Sequence, residues 1–419
     1  MQQAGSDKHT ISMEALCATT SENISDYDTL SPAPLSPYDG STPPDPGFVT
    51  PRTPQTTSPV SPYVNVAFED LIQAGQMLDA VPVNKNDPDE QPPKKFCSLL
   101  ENTSVLAHLA AFGVLGVLIR YSLGRLFDNV GHVTSAQTAL FHDLAANMFG
   151  SFFMGWVGCV LKKDISHFSE HLALGLSTGL MGSITTFSSW IVKLVVVMTK
   201  GLWLRGVIGL LVGMELSMMS LLVGMQSAEW FRSLLIWLKL TEVAADNVQR
   251  KLKGLLIFLT TALVLWTLFL SLGVEDINNL ERRTLWLACV LSPPGVWLRW
   301  LLARHNGKGL GHSKTLRWIP WGTLAANLLA CLTGATLSAV QLAARNNHES
   351  TLWIGALHLG TLGCLSTVST FVVEVHTLAK GDKPWRAYVY AMTSIGLGVL
   401  LCIVFFATVV WVRGYDIVL

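Results

Sequence analysis

Two asparagines, Asn147 and Asn327, occupy matching Leu-Ala-Ala-Asn stretches inside long apolar runs. Each amide brings two N–H donors and one carbonyl acceptor. Two hydroxyl-rich segments also match, Gly182-Ser183-Ile184-Thr185-Thr186-Phe187-Ser188-Ser189 and Gly363-Cys364-Leu365-Ser366-Thr367-Val368-Ser369-Thr370. Thr186, Ser188, Thr367 and Ser369 carry hydroxyl protons that rotate toward whatever acceptor is near. A third pair, Gly116-x-x-x-Arg120-Tyr121 and Gly295-x-x-x-Arg299-Trp300, sets one arginine inside each apolar run. Charge there is costly unless it is paired or reaches the membrane surface. Such groups in apolar surroundings can solvate a small polar species or bond to a neighbouring helix. For one isolated asparagine the second reading is the better one. Recurrence of the whole pattern at an offset of 179–181 residues reverses that preference.

These residues need a membrane to give their chemistry meaning, and composition supplies it. Half of the 419 residues are hydrophobic and 14% are charged, which suits a chain solvated by lipid. Formal net charge is zero, so no nucleic-acid partner is indicated. The seven cysteines are scattered without a C-x-x-C pair and read as reduced packing residues. Residues 1–100 form a Ser/Thr/Pro-rich tail too polar to offset the entropy of ordering, and are expected to be disordered and cytosolic. Ser-Pro or Thr-Pro pairs at Ser31, Ser36, Thr42, Thr50, Thr53, Ser58 and Ser61 suit phosphorylation; an unregulated Pro-rich tail explains them equally well.

Apolar stretches long enough for a ~30 Å hydrocarbon core recur from Val105 onward. Nine spans fit, near 105–126, 137–161, 170–199, 203–226, 254–273, 284–303, 318–342, 351–379 and 386–412. Lysine and arginine are denser in the loops on the N-terminal side, which favours a cytoplasmic N-terminus and an extracellular C-terminus. The matched motifs divide the chain into a first four-helix unit at 101–230, a linker with one helix at 231–281, and a second unit at 282–419. An even number of spans per unit means that the single linker helix inverts the second copy. The expected fold is therefore an all-α polytopic membrane protein of two inverted four-helix repeats with broken third helices. Its two halves would form an intramolecular pseudo-dimer, so a monomer is expected.

At these motifs the sequence resembles the CrcB/Fluc fluoride channels, and the fused pair of units is similar to the eukaryotic fluoride exporters within that group. The resemblance covers about 105–226 and 284–412. It implies passive fluoride export at the plasma membrane through narrow pores between antiparallel units. The implied path takes Asn147, Asn327, Phe187, Phe371, Thr186, Ser188, Thr367, Ser369, Tyr390, Ser394 and Glu374, with Arg120 and Arg299 at a vestibule or as surface anchors. It also implies a central sodium on the backbone carbonyls of Gly182, Thr185, Gly363 and Ser366, and no organic cofactor. Physical chemistry agrees with the donor set. Fluoride is tightly hydrated, so a path must replace water with donors and avoid a cation that would trap the ion. The positive rim of a phenylalanine ring can serve as well.

The copies differ where that path would run. Phe187 and Trp190 in the first unit correspond to Val368 and Phe371 in the second. Glu374 corresponds to Lys193, and Tyr390 and Ser394 correspond to Gly209 and Gly213. One working pore and one vestigial pore are expected. Two other classes compete. A proton- or cation-coupled transporter of another small anion would use Glu215 and Glu374 as proton carriers. A membrane-embedded enzyme would need metal-ligand spacing, which His142-Asp143 and Glu374-x-His376 lack. No Gly-x-x-x-x-Gly-Lys-Ser/Thr loop supports an ATP-driven pump.

Overall fold

The computed structural model describes residues 93–130, 140–237, 248–275, 279–309, 316–344 and 346–415, and the Ser/Thr/Pro-rich segment before residue 93 lies outside them. The described residues are helical, with no strand among them. The main rods are α1 (Pro93–Arg125), α2 (Leu144–Val160), α3 (Glu170–Thr199), α4 (Trp203–Trp237) and α5 (Val248–Glu275). They continue as α6 (Leu280–Ala303), α7 (Trp321–Ala343), α8 (His348–Lys380) and α9 (Trp385–Arg413). Helix α1 starts inside the last residues of the expected tail, where Pro93 supplies a preset φ at a first turn that needs no N–H.

Seven of these helices are long and apolar enough to cross a membrane; Leu144–Val160 and Leu263–Val274 are shorter apolar stretches. The chain is a polytopic membrane protein. Large apolar side chains stand outward on α4, α5 and α9, among them Leu204, Trp230, Leu263, Met392 and Val412. In water such a surface would be a liability, and in lipid it is the ordinary outer face. Glu215, a carrier in the coupled-transporter alternative, is also exposed on α4.

The centre belongs to α3 and α8, whose apolar windows are 83% and 72% buried, against 28% for α4 and α9. Both central helices break. Thr185 and Thr186 are extended in α3, as Ser366 is in α8, and helix resumes at Phe187 and at Ser369. Beyond its break each central helix packs on helices of the other half. The second segment of α3 meets α7 and α9, and the second segment of α8 meets α2 and α4. The largest apolar cluster is therefore shared by the halves, with Phe187, Trp190, Ile191, Val368 and Phe371 all inside it.

Close crossings set the outer pairs. At the α2–α4 crossing a Cβ on Gly155 would lie 2.6 Å from Met225 N and 2.7 Å from Leu221 O. Gly155→Val is expected to lower stability by about 1–3 kcal/mol, read as a fall in the unfolding temperature of detergent-solubilised protein. Gly396 is the control, since a Cβ there would meet nothing within 4 Å. Gly396→Val should leave that temperature nearly unchanged.

Candidate functional site

A helix break strands backbone groups that a membrane interior will not solvate. Here Asn147 meets some of the need. Its Oδ1 accepts from Thr186 N at 2.8 Å and its Nδ2 donates to Thr186 O at 3.2 Å. Asn327 repeats both contacts with Thr367, at 2.8 and 3.2 Å. Each amide thus braces the break of its own half and retains one N–H.

The hydroxyls join the two breaks. Thr185 Oγ1 accepts from Val368 N at 3.2 Å and Ser369 N at 3.1 Å, and so caps the second segment of α8. Ser366 Oγ accepts from Ser188 N at 3.1 Å and caps the second segment of α3. Thr367 and Ser369 hydroxyls lie 3.1 and 3.0 Å from Thr185 Oγ1; Thr186 and Ser188 hydroxyls lie 3.1 and 2.9 Å from Ser366 Oγ. The four hydroxyls expected to serve a passing anion are gathered at one crossing, and they already bond to its other hydroxyls.

Arg120 and Arg299 converge on the same place, with only 2% and 4% of their surface exposed. Arg120 Nη1 donates to Ser183 O at 2.8 Å and Gly363 O at 2.7 Å, while Nη2 donates to Leu359 O. Arg299 Nη1 donates to Gly182 O and, at 3.4 Å, to Ser366 O; Nη2 donates to Thr178 O at 2.5 Å. Glycine is required at 182 because a Cβ there would stand 2.6 Å from Arg299 Nη2. Gly116, a helical turn before Arg120, has a related role, since a Cβ there would meet Ser183 Cβ at 2.7 Å. Three of the four carbonyls expected to hold sodium, those of Gly182, Gly363 and Ser366, therefore carry arginine N–H. Each such oxygen keeps a second lone pair.

Two unequal sets of side chains flank this crossing. On one side Phe187 and Phe371 meet edge to face, ring centroids 5.4 Å apart at 73°. Tyr390 stands 5.5 Å beyond Phe371 and donates through its hydroxyl to Glu374 Oε2 at 2.7 Å. Thr323 Oγ1 donates to Glu374 Oε1 at 2.5 Å, and Asn306 Nδ2 reaches the same oxygen at 3.3 Å. Ser394 spends its proton on Tyr390 O at 2.8 Å. Thr323 and Asn306 were absent from the sequence expectation; Thr323 lies four residues before Asn327, on the same helical face.

Trp190 meets Phe187 edge to face as well, ring centroids 5.5 Å apart at 87°, and occupies the ground that Tyr390 and Ser394 hold in the second half. Its Nε1 donates to Gly209 O at 3.4 Å, and a Cβ on Gly213 would lie 2.6 Å from that nitrogen. The position matching Thr323 is Asp143, which accepts from Lys193 Nζ at 2.8 Å and Ser189 Oγ at 2.5 Å. His142 is paired with Asp128 instead of joining a metal set. Among the described residues no group of three or more His, Cys, Asp or Glu could hold a metal ion.

Comparison with known proteins follows the same division. The family model for CrcB-like protein, Camphor Resistance (CrcB), matches residues 107–225 and again 286–406. The chain is similar to fluoride export protein 1 of Neurospora crassa, 28% identical over 286 residues, which is 61% of this chain and 50% of the relative. It spans half the length of that protein. It is also similar to the fluoride-specific ion channel FluC of Shewanella denitrificans, 29% identical over 121 residues, covering 29% of this chain and 93% of the relative. FluC 1 of Staphylococcus aureus is 34% identical over 129 residues, 31% of this chain and 79% of that protein. No solved structure matches.

The arginine contacts depend on the fork of the guanidinium, which reaches separated carbonyls that an ammonium cannot serve together. Arg299→Lys is expected to cost about 1–3 kcal/mol for each carbonyl left without a donor. The check is thermal unfolding in detergent; a lysine variant as stable as the parent would show that charge alone suffices.

Proposed function

The chain belongs to the CrcB-like family, is not an enzyme, and we propose that it is a fluoride channel that exports the ion passively from the cytoplasm. The reading takes the nine helical spans as two inverted four-helix repeats joined by one helix, with the N-terminus cytoplasmic, the C-terminus extracellular and the plasma membrane as its site. The observation that carries it is the edge-to-face contact of Phe187 with Phe371. That contact joins aromatic residues from both halves beside a break rich in neutral donors. A fluoride ion passing there would trade water for ring edges, the remaining N–H of Asn327 and hydroxyl protons recruited from the Thr185 and Ser366 clusters. None of these is a free cation, so the ion would be solvated without being held. A negative-inside potential supplies about 2.3 kcal/mol per charge per 100 mV.

The second path is proposed to be vestigial. Trp190 fills the groove along Gly209 and Gly213, where the second half carries Tyr390 and Ser394. A central sodium belongs to the same proposal. It would take the remaining lone pairs on the carbonyls of Gly182, Thr185, Gly363 and Ser366, against two guanidinium charges. The protein is proposed to act as a monomer in the bilayer.

Purified protein in liposomes should release fluoride and retain chloride, with the proton gradient collapsed. Release that requires a proton gradient would replace this reading by a proton-coupled carrier using Glu374. Phe371→Ile should abolish release, whereas Trp190→Ile should leave the rate per folded molecule intact; equal losses would refute the single path. Replacing sodium by N-methylglucamine should lower the unfolding temperature measurably, and an unchanged temperature would leave the arginines as the sole cations of the crossing.

A further inference from the structure

A cleft of about 380 Å³ runs from the protein surface to the crossing of the broken helices, with Arg120, Thr186, Ser189, Lys193, Ser338 and His358 along its walls. Thr186 precedes Phe187 in the chain, so the floor of the cleft adjoins the proposed path. By the topology proposed above it opens on the extracellular side. An exported ion would leave through it.

Two cationic side chains, Arg120 and Lys193, line the cleft together with two histidines, and each of the four is engaged. Arg120 is spent on three backbone carbonyls. His142 is paired with Asp128, and His358 Nε2 lies 3.4 Å from Ser338 Oγ. Lys193 stands well open, its side chain 41% exposed, while its partner Asp143 is 8% exposed. Asp143 sits beneath the wall, fixed by Ser189 at 2.5 Å, and draws Lys193 Nζ to 2.8 Å. At the matching place in the second half, Thr323 and Glu374 form a hydroxyl–carboxylate contact that contains no cation. The first half alone has placed a lysine beside the way out, and with it a buried carboxylate.

An unpaired ammonium in a half-closed cleft attracts a small anion strongly and delays its departure. We propose that Asp143 is a positioning residue for export: it neutralises Lys193 and holds the ammonium to the wall, so that the outer cleft passes fluoride instead of binding it. The inference rests on the fluoride-channel reading. It makes Asp143 neither a pore ligand nor a mere anchor, because its removal should create an anion site.

The test is fluoride efflux from proteoliposomes over a range of fluoride concentrations. Asp143→Asn should lower the maximal rate severalfold and lower the half-saturating fluoride concentration by a similar factor. Adding Lys193→Met to Asp143→Asn should bring both back close to the parent. Asp143→Ser, whose hydroxyl can still meet Ser189, is the second variant with the same expected shifts should asparagine fail to fold. A lower maximal rate with unchanged half-saturation would mean only lost channels and would overturn the proposal. So would a shift that persists in the double variant. If the parent releases no fluoride, the channel reading falls and this inference falls with it; a parent that releases fluoride beside an unshifted Asp143→Asn removes the inference alone.

Discussion

The reciprocal capping of two broken helices is the constraint on which the rest of the structure depends. Thr185 of one half caps the helix that begins at Ser369, and Ser366 of the other caps the helix that begins near Ser188. Neither break is complete alone in lipid, since the asparagine of its own half accepts one freed N–H and the N–H groups that begin the next segment find their acceptor on the other half. Each is therefore stable only against the other. This explains why the second segment of each broken helix packs on the opposite half, and why the largest apolar cluster draws on both halves.

The outer motifs then follow as means of completing the crossing. Freed carbonyls outnumber what hydroxyls can serve, and two guanidinium groups reach them across the boundary between halves. The approach is possible only where the backbone lacks a Cβ, which ties Gly182 to Arg299 and Gly116 to the seat of Arg120. The Gly-x-x-x-Arg spacing is about one helical turn: glycine lets the helices touch and arginine hydrogen-bonds just beyond the contact. A charge that reads as expensive in the sequence is offset by several charge-assisted bonds to otherwise stranded carbonyls.

Much of this was legible in the sequence. The matched segments located both breaks, and two aromatics that the family resemblance implies on one path, Phe187 and Phe371, meet edge to face. What the sequence hid was partnership. Asn147 and Asn327 were read as donors to an ion, yet most of each amide braces its own break. The buried arginines were placed at a vestibule or the surface; Arg120 does line the outer cleft, but its N–H groups point into the crossing. Thr323 and Asn306 escaped notice, and Asp143 was weighed only beside His142 as a metal ligand, because their roles depend on contacts across 51, 68 and 50 residues of chain, a separation that no local pattern encodes.

The unequal halves give the crossing its final meaning. A symmetric pair of paths would require the same aromatic and hydroxyl positions twice, and the first half instead has Gly209 and Gly213 where the second has Tyr390 and Ser394. Those differences are not simple losses. Trp190 fills the volume beside the glycines, so core density is kept while a polar lining is removed. Lys193 and Asp143 likewise stand as an ion pair where the second half has a carboxylate and a hydroxyl, preserving a polar contact at that level of the fold. Because the breaks need each other, the first half cannot be discarded even where it lines nothing. Its capping residues are kept by the stability of the second half, while positions along the path proposed to be vestigial, Gly209 and Gly213 among them, are free to change.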